Sequence, residues 1–433
     1  MATDQNKDAV KSLSYWAIVR RQFRKNKAAV WSLRFLILIF IIGMSADFIA
    51  NEKPYYCVIN GKSYFPVLKG VGVDLGIAKW SVELSNVNWH DLKYEKVVWP
   101  IIPYSTTTLD LKNKDYVSPF GQQNVESSRW KHYLGTDNLG RDVLSGMIHG
   151  TTVAMMVGVV SMSVALLLGL FFGSLAGYYG DNRLKMTRLT IFLNILFLPI
   201  ALFYGFGVRS YTLSDTLSIS FIGFLFQFIF SILIFSFIMS IPNLLDRFFK
   251  KIPYLGEQIS VPVDILVSRL IEILESIPSL LLILSIVAIV QKPSLFIVMI
   301  IIGLTRWTGI ARYLRGELLK VRSLEYIEAA QALGFPEWRI ILRHSLPNAL
   351  TPVLISVSFG IASAILTESS LSFLGIGVPP EQVTWGSMLS LARGVPQAWW
   401  VAIFPGFAIF VTVTIFNLIG DGLTDALDPR LKQ

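Results

Sequence analysis

Residues 323–347 read SLEYIEAAQALGFPEWRIILRHSLP, and the first half of this stretch predicts a short helix. Ser323 is placed to cap that helix, because a serine side chain accepts a hydrogen bond from the free backbone N–H groups of a first turn. Glu325 and Glu328 follow in the first turn, where the positive end of the helix dipole stabilises carboxylates.

The second half of the stretch predicts a sharp turn and a second helix. Gly334 stands where many helices end in a left-handed residue, Pro336 suits the first turn of the next helix, and Pro347 restricts the backbone beyond it. Small residues keep part of the first helix slim: Ala329, Ala330 and Ala332. This pattern is typical of a docking element, and an ordinary amphipathic connector is the alternative.

Long apolar segments lie on both sides of this stretch, and a helix needs about 20 such residues to cross a bilayer. Eight segments are predicted to span a membrane: 31–50, 152–177, 191–208, 219–241, 270–290, 294–310, 351–370 and 401–420. The chain is 15% charged, whereas a soluble domain carries about 25% charge. The fold class is therefore an all-α integral membrane protein.

Lysine and arginine concentrate in alternate loops. They are dense before the first segment and after the second, fourth and sixth, whereas the short loops of the other side hold only Arg209, Lys292 and Arg393. Because positively charged loops stay in the cytoplasm, both termini are predicted to be cytoplasmic. The net charge of +9 is mostly this topology signal, and we expect no nucleic-acid partner.

The basic leader carries a helical pattern of its own over residues 12–27. Tyr15, Trp16, Val19 and Phe23 recur at helical spacing, with basic residues between them. The pattern suits a helix lying on the cytoplasmic membrane surface. A basic tether without stable structure is the alternative.

Residues 51–151 form the one long polar block, rich in Trp, Tyr, Pro and Asn. The run at 94–102 favours β-structure, and the aromatic content is unlike that of disordered segments. We expect a small, partly β cap outside the membrane. The chain's four histidines are far apart in sequence and predict no metal site.

Two polar residues at membrane depth are candidates for a translocation path: Glu368 near the outer end of the seventh segment and Asn417 near the inner end of the eighth. An ionisable group at that depth costs about 2.5–3.5 kcal/mol on insertion scales. Glu368 could line the path, pair with another subunit, or be a helix-end residue that faces water. Glu272 and Glu275 are expected to be interfacial anchors.

Parts of the 323–347 stretch resemble the EAA loop of ABC importer permeases, namely Glu328-Ala329-Ala330, Gly334 and Leu346-Pro347. In that family the loop inserts into a cleft on the ATPase subunit and couples closure of that subunit to rearrangement of the membrane helices. The resemblance implies that an ATPase-coupling role falls on Glu328, Ala329, Ala330, Gly334, Arg339, Leu346 and Pro347.

Three further stretches resemble the C-type subunit of dipeptide and oligopeptide permeases. They are HYLGTDNLGRDVLS at 132–145, LSFLGIGVPP at 371–380 with WG at 385–386, and FNLIGDGLTDALDPRL at 416–431. The loop with FIANEKP at 48–54 and YFP at 64–66 resembles the variant that imports microcin C and peptides. The resemblance implies a type I ABC importer transmembrane domain for peptides or similar solutes in the bacterial inner membrane.

The chain departs from this family after the turn GYYG at 177–180, where the family passes almost directly to a helix start like Val263-Asp264. Residues 181–262 are expected to be an inserted helical hairpin, which turns six spans into about eight. The predicted division is a cytoplasmic basic segment (1–30), a first transmembrane helix (31–50), an extracytoplasmic cap (51–151), a permease transmembrane domain (152–421) with a cytoplasmic coupling loop (311–350), and a cytoplasmic tail (422–433).

The sequence contains no G-x-x-x-x-G-K-[ST] phosphate loop, so we expect no cofactor in this chain. The resemblance implies that ATP and Mg²⁺ bind one or two separate ABC ATPase subunits. It also implies a second homologous permease subunit and an extracytoplasmic solute-binding protein, with the lipid bilayer around them. The chain would then be a transport subunit, not an enzyme. The alternatives are a secondary transporter or channel without an ATPase, an enzyme with its site in the cap, and an inactive scaffold.

Overall fold

The structure is a computed structural model. It describes residues 15–427 except 75, 82–83, 85–86, 220, 250–251, 253, 291–293, 377–378 and 380–381. In the described part, seven helices are long and apolar enough to cross a membrane, or up to eight if one bent helix pair counts as a span. This confirms a mostly helical membrane protein with about eight spans.

The chain separates into two compact units. The first combines Met1–Ser174 with Ile271–Gln433, and the second is Leu175–Leu270. The helices before residue 175 are α1 (Tyr15–Phe23), α2 (Lys27–Met44), α3 (Ala46–Ile49), α4 (Pro66–Asp74) and α5 (Val143–Ser174). Those that begin in the second unit are α6 (Arg188–Leu202), α7 (Ser210–Ile219), α8 (Phe221–Phe249) and α9 (Val263–Glu275). The rest are α10 (Ser279–Ile289), α11 (Leu295–Val321), α12 (Glu325–Ala332), α13 (Glu337–Ile340), α14 (Leu346–Ala349), α15 (Thr351–Phe373), α16 (Trp385–Ala392) and α17 (Trp399–Leu427).

Helices α5 and α11 pack closely at the centre of the first unit. The Ser161 hydroxyl of α5 donates a hydrogen bond to the Met299 carbonyl of α11 at 2.8 Å. A Cβ added at Gly303 would lie only 2.6 Å from the Ser161 carbonyl oxygen, so this approach requires glycine. Small residues and interhelical hydrogen bonds are the usual means of close packing between membrane helices.

Several helices extend beyond the predicted spans, and local capping explains two of these extensions. The helix at the first predicted span, 31–50, is Lys27–Met44, and it starts early because the Asn26 side chain accepts a hydrogen bond from the Ala29 N–H. Helix α5 starts at Val143 rather than 152, because Asp142 accepts a hydrogen bond from the Ser145 N–H at 2.6 Å. Residues 143–151, predicted to belong to the cap, are thus helical and continuous with α5.

Helix α1 forms as predicted, and one residue of its apolar face, Val19, is covered by protein. Val19 is buried in a cluster with Ala426 and Leu427 at the end of α17. Asn26, just after α1, donates a side-chain hydrogen bond to Asp425 at 3.0 Å. The position of this helix on the membrane surface stays a prediction, and residues 12–14 of its predicted range lie outside the described residues.

The cap contains a three-stranded antiparallel sheet in the order β2-β1-β3, with β1 Tyr56–Ile59, β2 Lys62–Tyr64 and β3 Lys96–Val98. The two-residue turn between β1 and β2 is Asn60-Gly61, and both residues have positive φ, as a tight hairpin requires. The fully buried Cys57 packs with Leu84, Trp89 and Trp99 beneath the sheet. A partly β cap is thus confirmed.

The second unit holds α6, α7 and α8 and contains all of residues 181–262. Two three-residue strands, β4 Lys185–Thr187 and β5 Gln258–Ser260, pair antiparallel near its two ends. This sheet was not predicted from the sequence. Inside the unit, the Arg209 guanidinium donates hydrogen bonds to Ser231 at 2.9 Å and to Gln227.

Candidate functional site

The chain between α11 and α15, residues 322–350, folds as a helix-turn-helix that we call the α11–α15 loop. Helix α12 ends in a turn in which Gly334 has φ +76°. The Gly334 N–H donates to the Gln331 carbonyl at 2.9 Å, and the Phe335 N–H donates to the Ala330 carbonyl at 3.2 Å. These two bonds define a Schellman turn. The left-handed backbone predicted at Gly334 is confirmed.

The start of the loop differs from the prediction. Leu324, not Ser323, occupies the N-cap position of α12, and it makes no side-chain capping bond. The Ser323 hydroxyl instead donates back to the Lys320 carbonyl at 2.9 Å, because a serine just after a helix can satisfy one of the last carbonyls of that helix. Pro336 lies at the N-cap of α13, one residue before its first turn.

The interior of the α11–α15 loop is well packed. Ile327 of α12 and Ile340 of α13 are fully buried. The Asn348 amide donates to the Tyr326 hydroxyl at 3.0 Å and to the His344 carbonyl at 2.8 Å. These contacts join α12 to α14 and bury one side chain of each short helix, so the loop is packed as one body.

The outer surface of the α11–α15 loop is unusually apolar. Leu333, Trp338 and Leu342 are 74%, 65% and 59% exposed. Four of the residues given a coupling role are exposed, namely Glu328, Ala329, Gly334 and Pro347. Arg339 and Leu346 are half-buried, and Ala330 is buried. The Arg339 guanidinium stacks on the Phe335 ring at 4.9 Å. Large exposed apolar side chains around a fixed turn are typical of a protein–protein contact surface.

The motif at 132–145 forms a polar clamp at the start of α5. The His132 imidazole is fully buried, with Nδ1 2.8 Å from Asp142 Oδ2 and Nε2 3.2 Å from Asp110 Oδ2. The Trp400 indole N–H, at the start of α17, donates to the Thr136 carbonyl at 3.1 Å. Among the described residues no group of three or more His, Cys, Asp or Glu is arranged to hold a metal ion. The clamp fixes two membrane helices.

Electrostatics agree with this structural role. Burial lowers the pKa of the His132 imidazole, but hydrogen bonds and charge from Asp142 and Asp110 outweigh burial and raise the pKa above its ordinary value. Burial raises the pKa of Asp110, but hydrogen bonds from Asn113, His132 and the Lys112 N–H lower it overall. The two carboxylates therefore stabilise the protonated form of His132 more than water stabilises a free imidazolium.

Glu368 is 2% exposed, so its side chain does not face water. The Ser372 hydroxyl donates to Glu368 Oε1 at 2.5 Å, and the Ser369 hydroxyl lies 3.4 Å from Oε2. Asn417 is half-buried towards the other end of its helix, and in the described chain the two predicted path residues form no hydrogen bond with each other. The structure does not bring Glu368 and Asn417 together.

Sequence reasoning missed Arg306, the one charged residue in the predicted span 294–310. Its Nη2 donates to Thr367 Oγ1 of α15 at 2.8 Å, while its buried Nε has no partner among the described residues. Glu275, whose role as an interfacial anchor stays a prediction, forms an ion pair with Arg312 of α11. A charge within an apolar segment is a sequence signal that could have found Arg306.

Comparisons with known proteins cover most of the chain. A family model described as "Binding-protein-dependent transport system inner membrane component" matches residues 254–433, and one described as "N-terminal TM domain of oligopeptide transport permease C" matches residues 14–64. The chain is 30% identical over 326 residues to the glutathione transport system permease protein GsiD of Pectobacterium atrosepticum, covering 73% of this chain and 81% of that protein. The chain belongs to the family of binding-protein-dependent transport system inner membrane components.

Two relatives match almost the full length of this inner membrane component. The inner membrane ABC transporter permease protein YejE of Escherichia coli is 27% identical, over 94% of this chain and 95% of that protein. The peptidoglycan transport system permease protein YejE of Agrobacterium fabrum is 25% identical, over 95% of this chain and 92% of that protein.

Family membership settles the class of function. The chain is a multi-pass inner-membrane permease subunit of an ABC transport system, and it is a transport subunit rather than an enzyme. Partners of the family are ATPase and substrate-binding subunits. The secondary transporter, the channel and the enzyme with a site in the cap are set aside on this ground.

Proposed function

We propose that this permease subunit couples ATP hydrolysis on separate ATPase subunits to the import of peptides. One or two ABC ATPase subunits, which carry the ATP and Mg²⁺, dock on the α11–α15 loop. A second homologous permease completes the path, and an extracytoplasmic solute-binding protein delivers the substrate. Both termini lie in the cytoplasm, and the cap lies outside, as the distribution of lysine and arginine favours.

The exposed apolar surface of the α11–α15 loop carries this proposal. Leu333, Trp338 and Leu342 surround the turn at Gly334, while Ile327 and Ile340 fix the loop from within. A rigid body with an apolar tip transmits a push, whereas a flexible connector would absorb it. The coupling role of the loop residues and the division into a transmembrane domain at 152–421 and a cap belong to the same proposal.

The functions named for its relatives support peptides as the substrate class. Among them are a dipeptide transport system permease, a glutathione transport system permease and a putative peptide transport system permease. Glutathione is itself a tripeptide. The substrates in these names are therefore all small amide-linked molecules that carry free carboxylates.

A matched pair of substitutions tests the docking surface. Leu333 of the loop is 74% exposed and Leu111 of the cap is 71% exposed. In the complete importer, we expect Leu333→Ser to reduce ATP-driven uptake of a labelled peptide mixture by at least about tenfold, because a polar group weakens an apolar contact. Leu111→Ser should leave uptake unchanged. Equal uptake in both variants would remove the loop from the coupling mechanism.

A further inference from the structure

Arg306 lies well inside a candidate span, about 16 Å along α11 from its first residue at 1.5 Å per residue. Its partner Thr367 lies about 24 Å along α15. Arginines near helix ends extend their side chains to lipid phosphates, but neither residue is at a helix end. A charge at this depth usually faces protein or a water-filled path.

The guanidinium of Arg306 has donors to spare. A guanidinium has five N–H donors, and in the described chain its one hydrogen bond goes to Thr367, its Nε is buried without a partner, and no carboxylate lies within 4.0 Å. The carboxylate that lines the same cavity, Glu275, is engaged by Arg312. Arg306 therefore keeps an uncompensated positive charge.

This charge borders a cavity of about 340 Å³ that we call the Arg306 cavity. Its polar lining consists of Glu275, Ser279, Thr305, Arg306, Thr308 and the backbone of Gly309. Gly309 lies one turn after Arg306 on the same face of α11, and a Cβ there would meet nothing within 4 Å. The volume lies in the range of small-molecule sites.

The opposite wall of the Arg306 cavity comes from the break between α9 and α10, a bent helix pair. Leu274, Ile277 and Ser279 around this break line the cavity. Interrupted helices occur at membrane depth where they line a cavity, and in transporters they often mark the substrate site. The guanidinium of Arg306 and the break between α9 and α10 thus line the same cavity.

We propose that the Arg306 cavity is a carboxylate-binding subsite on the transport path, which holds the carboxyl terminus of a peptide in transit. Arginine presents paired donors that match a carboxylate bidentately. The hydroxyls of Ser279 and Thr308 supply further donors around it, while the Thr305 hydroxyl donates to the Ile302 carbonyl of α11 at 2.8 Å. This inference rests on the proposed peptide import. It specifies that the permease recognises the carboxyl-terminal end of the peptide.

The first test needs no substrate. Gly309→Cys places a thiol in the cavity of the full-length chain within its assembled complex, and the native Cys57 is fully buried, so it gives little background. The rates of reaction with a negatively charged and a positively charged methanethiosulfonate are compared. We expect the negative-to-positive rate ratio to fall about tenfold when Arg306→Met is added, and to be kept with Arg306→Lys. A rate ratio that Arg306→Met leaves unchanged overturns the proposal. So does the absence of reaction with either reagent, because a thiol that faces lipid would not react.

The second test measures uptake of two tripeptide mixtures, one with free and one with amidated carboxyl termini. The same solute-binding protein delivers both mixtures, so that only the permease variant differs. Arg306→Met should lower uptake of the free-carboxylate mixture at least tenfold relative to the amidated mixture, and Arg306→Lys should restore most of the difference. Equal loss for both mixtures in an assembled complex would make Arg306 purely structural and overturn the inference. If the unmodified importer takes up neither mixture, peptide import fails, and the thiol reaction rates of the Gly309→Cys variant still decide whether the cavity attracts anions.

Discussion

His132 lies between α5 and the rest of the cap with its Nδ1 2.8 Å from Asp142 Oδ2, and this pair joins the sequence motif at 132–145 to the first turn of a membrane helix. Asp142 also accepts the Ser145 N–H at 2.6 Å, so one carboxylate both caps α5 and holds the imidazole. The motif that resembles the peptide permeases therefore builds a joint between the cap and the membrane helices.

This joint predicts a pH-dependent stability. The pKa of His132 is raised, so its contribution is fully present below the ordinary histidine pKa and is lost as pH rises through the raised value. The pKa of Asp110 is lowered, so its contribution is present above the ordinary aspartate value and is lost only as pH falls through the lowered one. We expect the thermal midpoint of the purified complex to fall from mildly acidic to alkaline pH.

The variant His132→Gln should remove the fall in stability that His132 causes as pH rises, and it should destabilise the chain by about 3–5 kcal/mol, because it leaves buried carboxylates without their cation. Tryptophan fluorescence during thermal unfolding measures both effects. His344→Gln, in the α11–α15 loop, is the control and should retain the slope. A slope that persists in His132→Gln would assign the pH dependence to other groups.

Gly334→Val should uncouple transport. The backbone at Gly334 has φ +76°, where a β-branched residue is strained, yet a side chain would meet no atom within 4 Å, so the effect is on the turn and not on packing. Uptake should drop at least about tenfold while the complex stays assembled, as size-exclusion chromatography would show. Gly394→Val, at an open glycine without positive φ, is the matched control. Normal uptake and normal ATP hydrolysis in Gly334→Val would contradict the coupling role of the turn.

Glu328→Ala should weaken ATPase docking without unfolding the membrane helices. The carboxylate is exposed in the first turn of α12, and loss of a favourable helix-dipole interaction costs only about 0.3–1 kcal/mol. Retention of the ATPase on the tagged permease in detergent is the readout. Glu325→Ala, in the same turn, controls for the dipole effect and should retain more ATPase. Identical retention in wild type and Glu328→Ala would exclude a specific contact.

Close packing of α5 against α11 predicts opposite effects at two glycines of one helix. Gly303→Ala would place a Cβ 2.6 Å from the Ser161 carbonyl oxygen and should lower the thermal midpoint and the yield of monodisperse complex. Gly316→Ala meets no atom within 4 Å and should be neutral or stabilising by up to about 1 kcal/mol. Similar midpoints for both variants would mean that this interface yields more easily than its geometry indicates.

Features governed by local rules were predictable from the sequence. The apolar segments predicted the spans, since hydrophobic length follows from bilayer thickness, and Gly334 was assigned its backbone from the helix-ending pattern alone. The exact helix ends were not predictable from hydropathy, because capping by Asn26 and Asp142 adds turns outside the apolar stretch.

Features that depend on a distant partner were not predictable. The amphipathic face of α1 is visible in the sequence, but only the structure shows that α17 covers it at Val19. Ser323 could bond forwards or backwards, and the structure selects the Lys320 carbonyl. The short strands β4 and β5 lie far apart in the chain, so their pairing was not predictable. That Arg306 lacks a carboxylate partner is known only once its neighbours are placed.

The most direct test of ATPase coupling is a photo-crosslink from the tip of the α11–α15 loop. A photoreactive amino acid replaces Leu333 in the tagged full-length chain, with the same replacement at Leu111 of the cap as control, and the irradiated complex is extracted mildly from its native membrane. The account predicts an adduct between position 333 and an ATPase that carries a phosphate-binding loop, with none from position 111. A stable, monodisperse chain that purifies alone and forms no ATPase adduct at position 333 would contradict it.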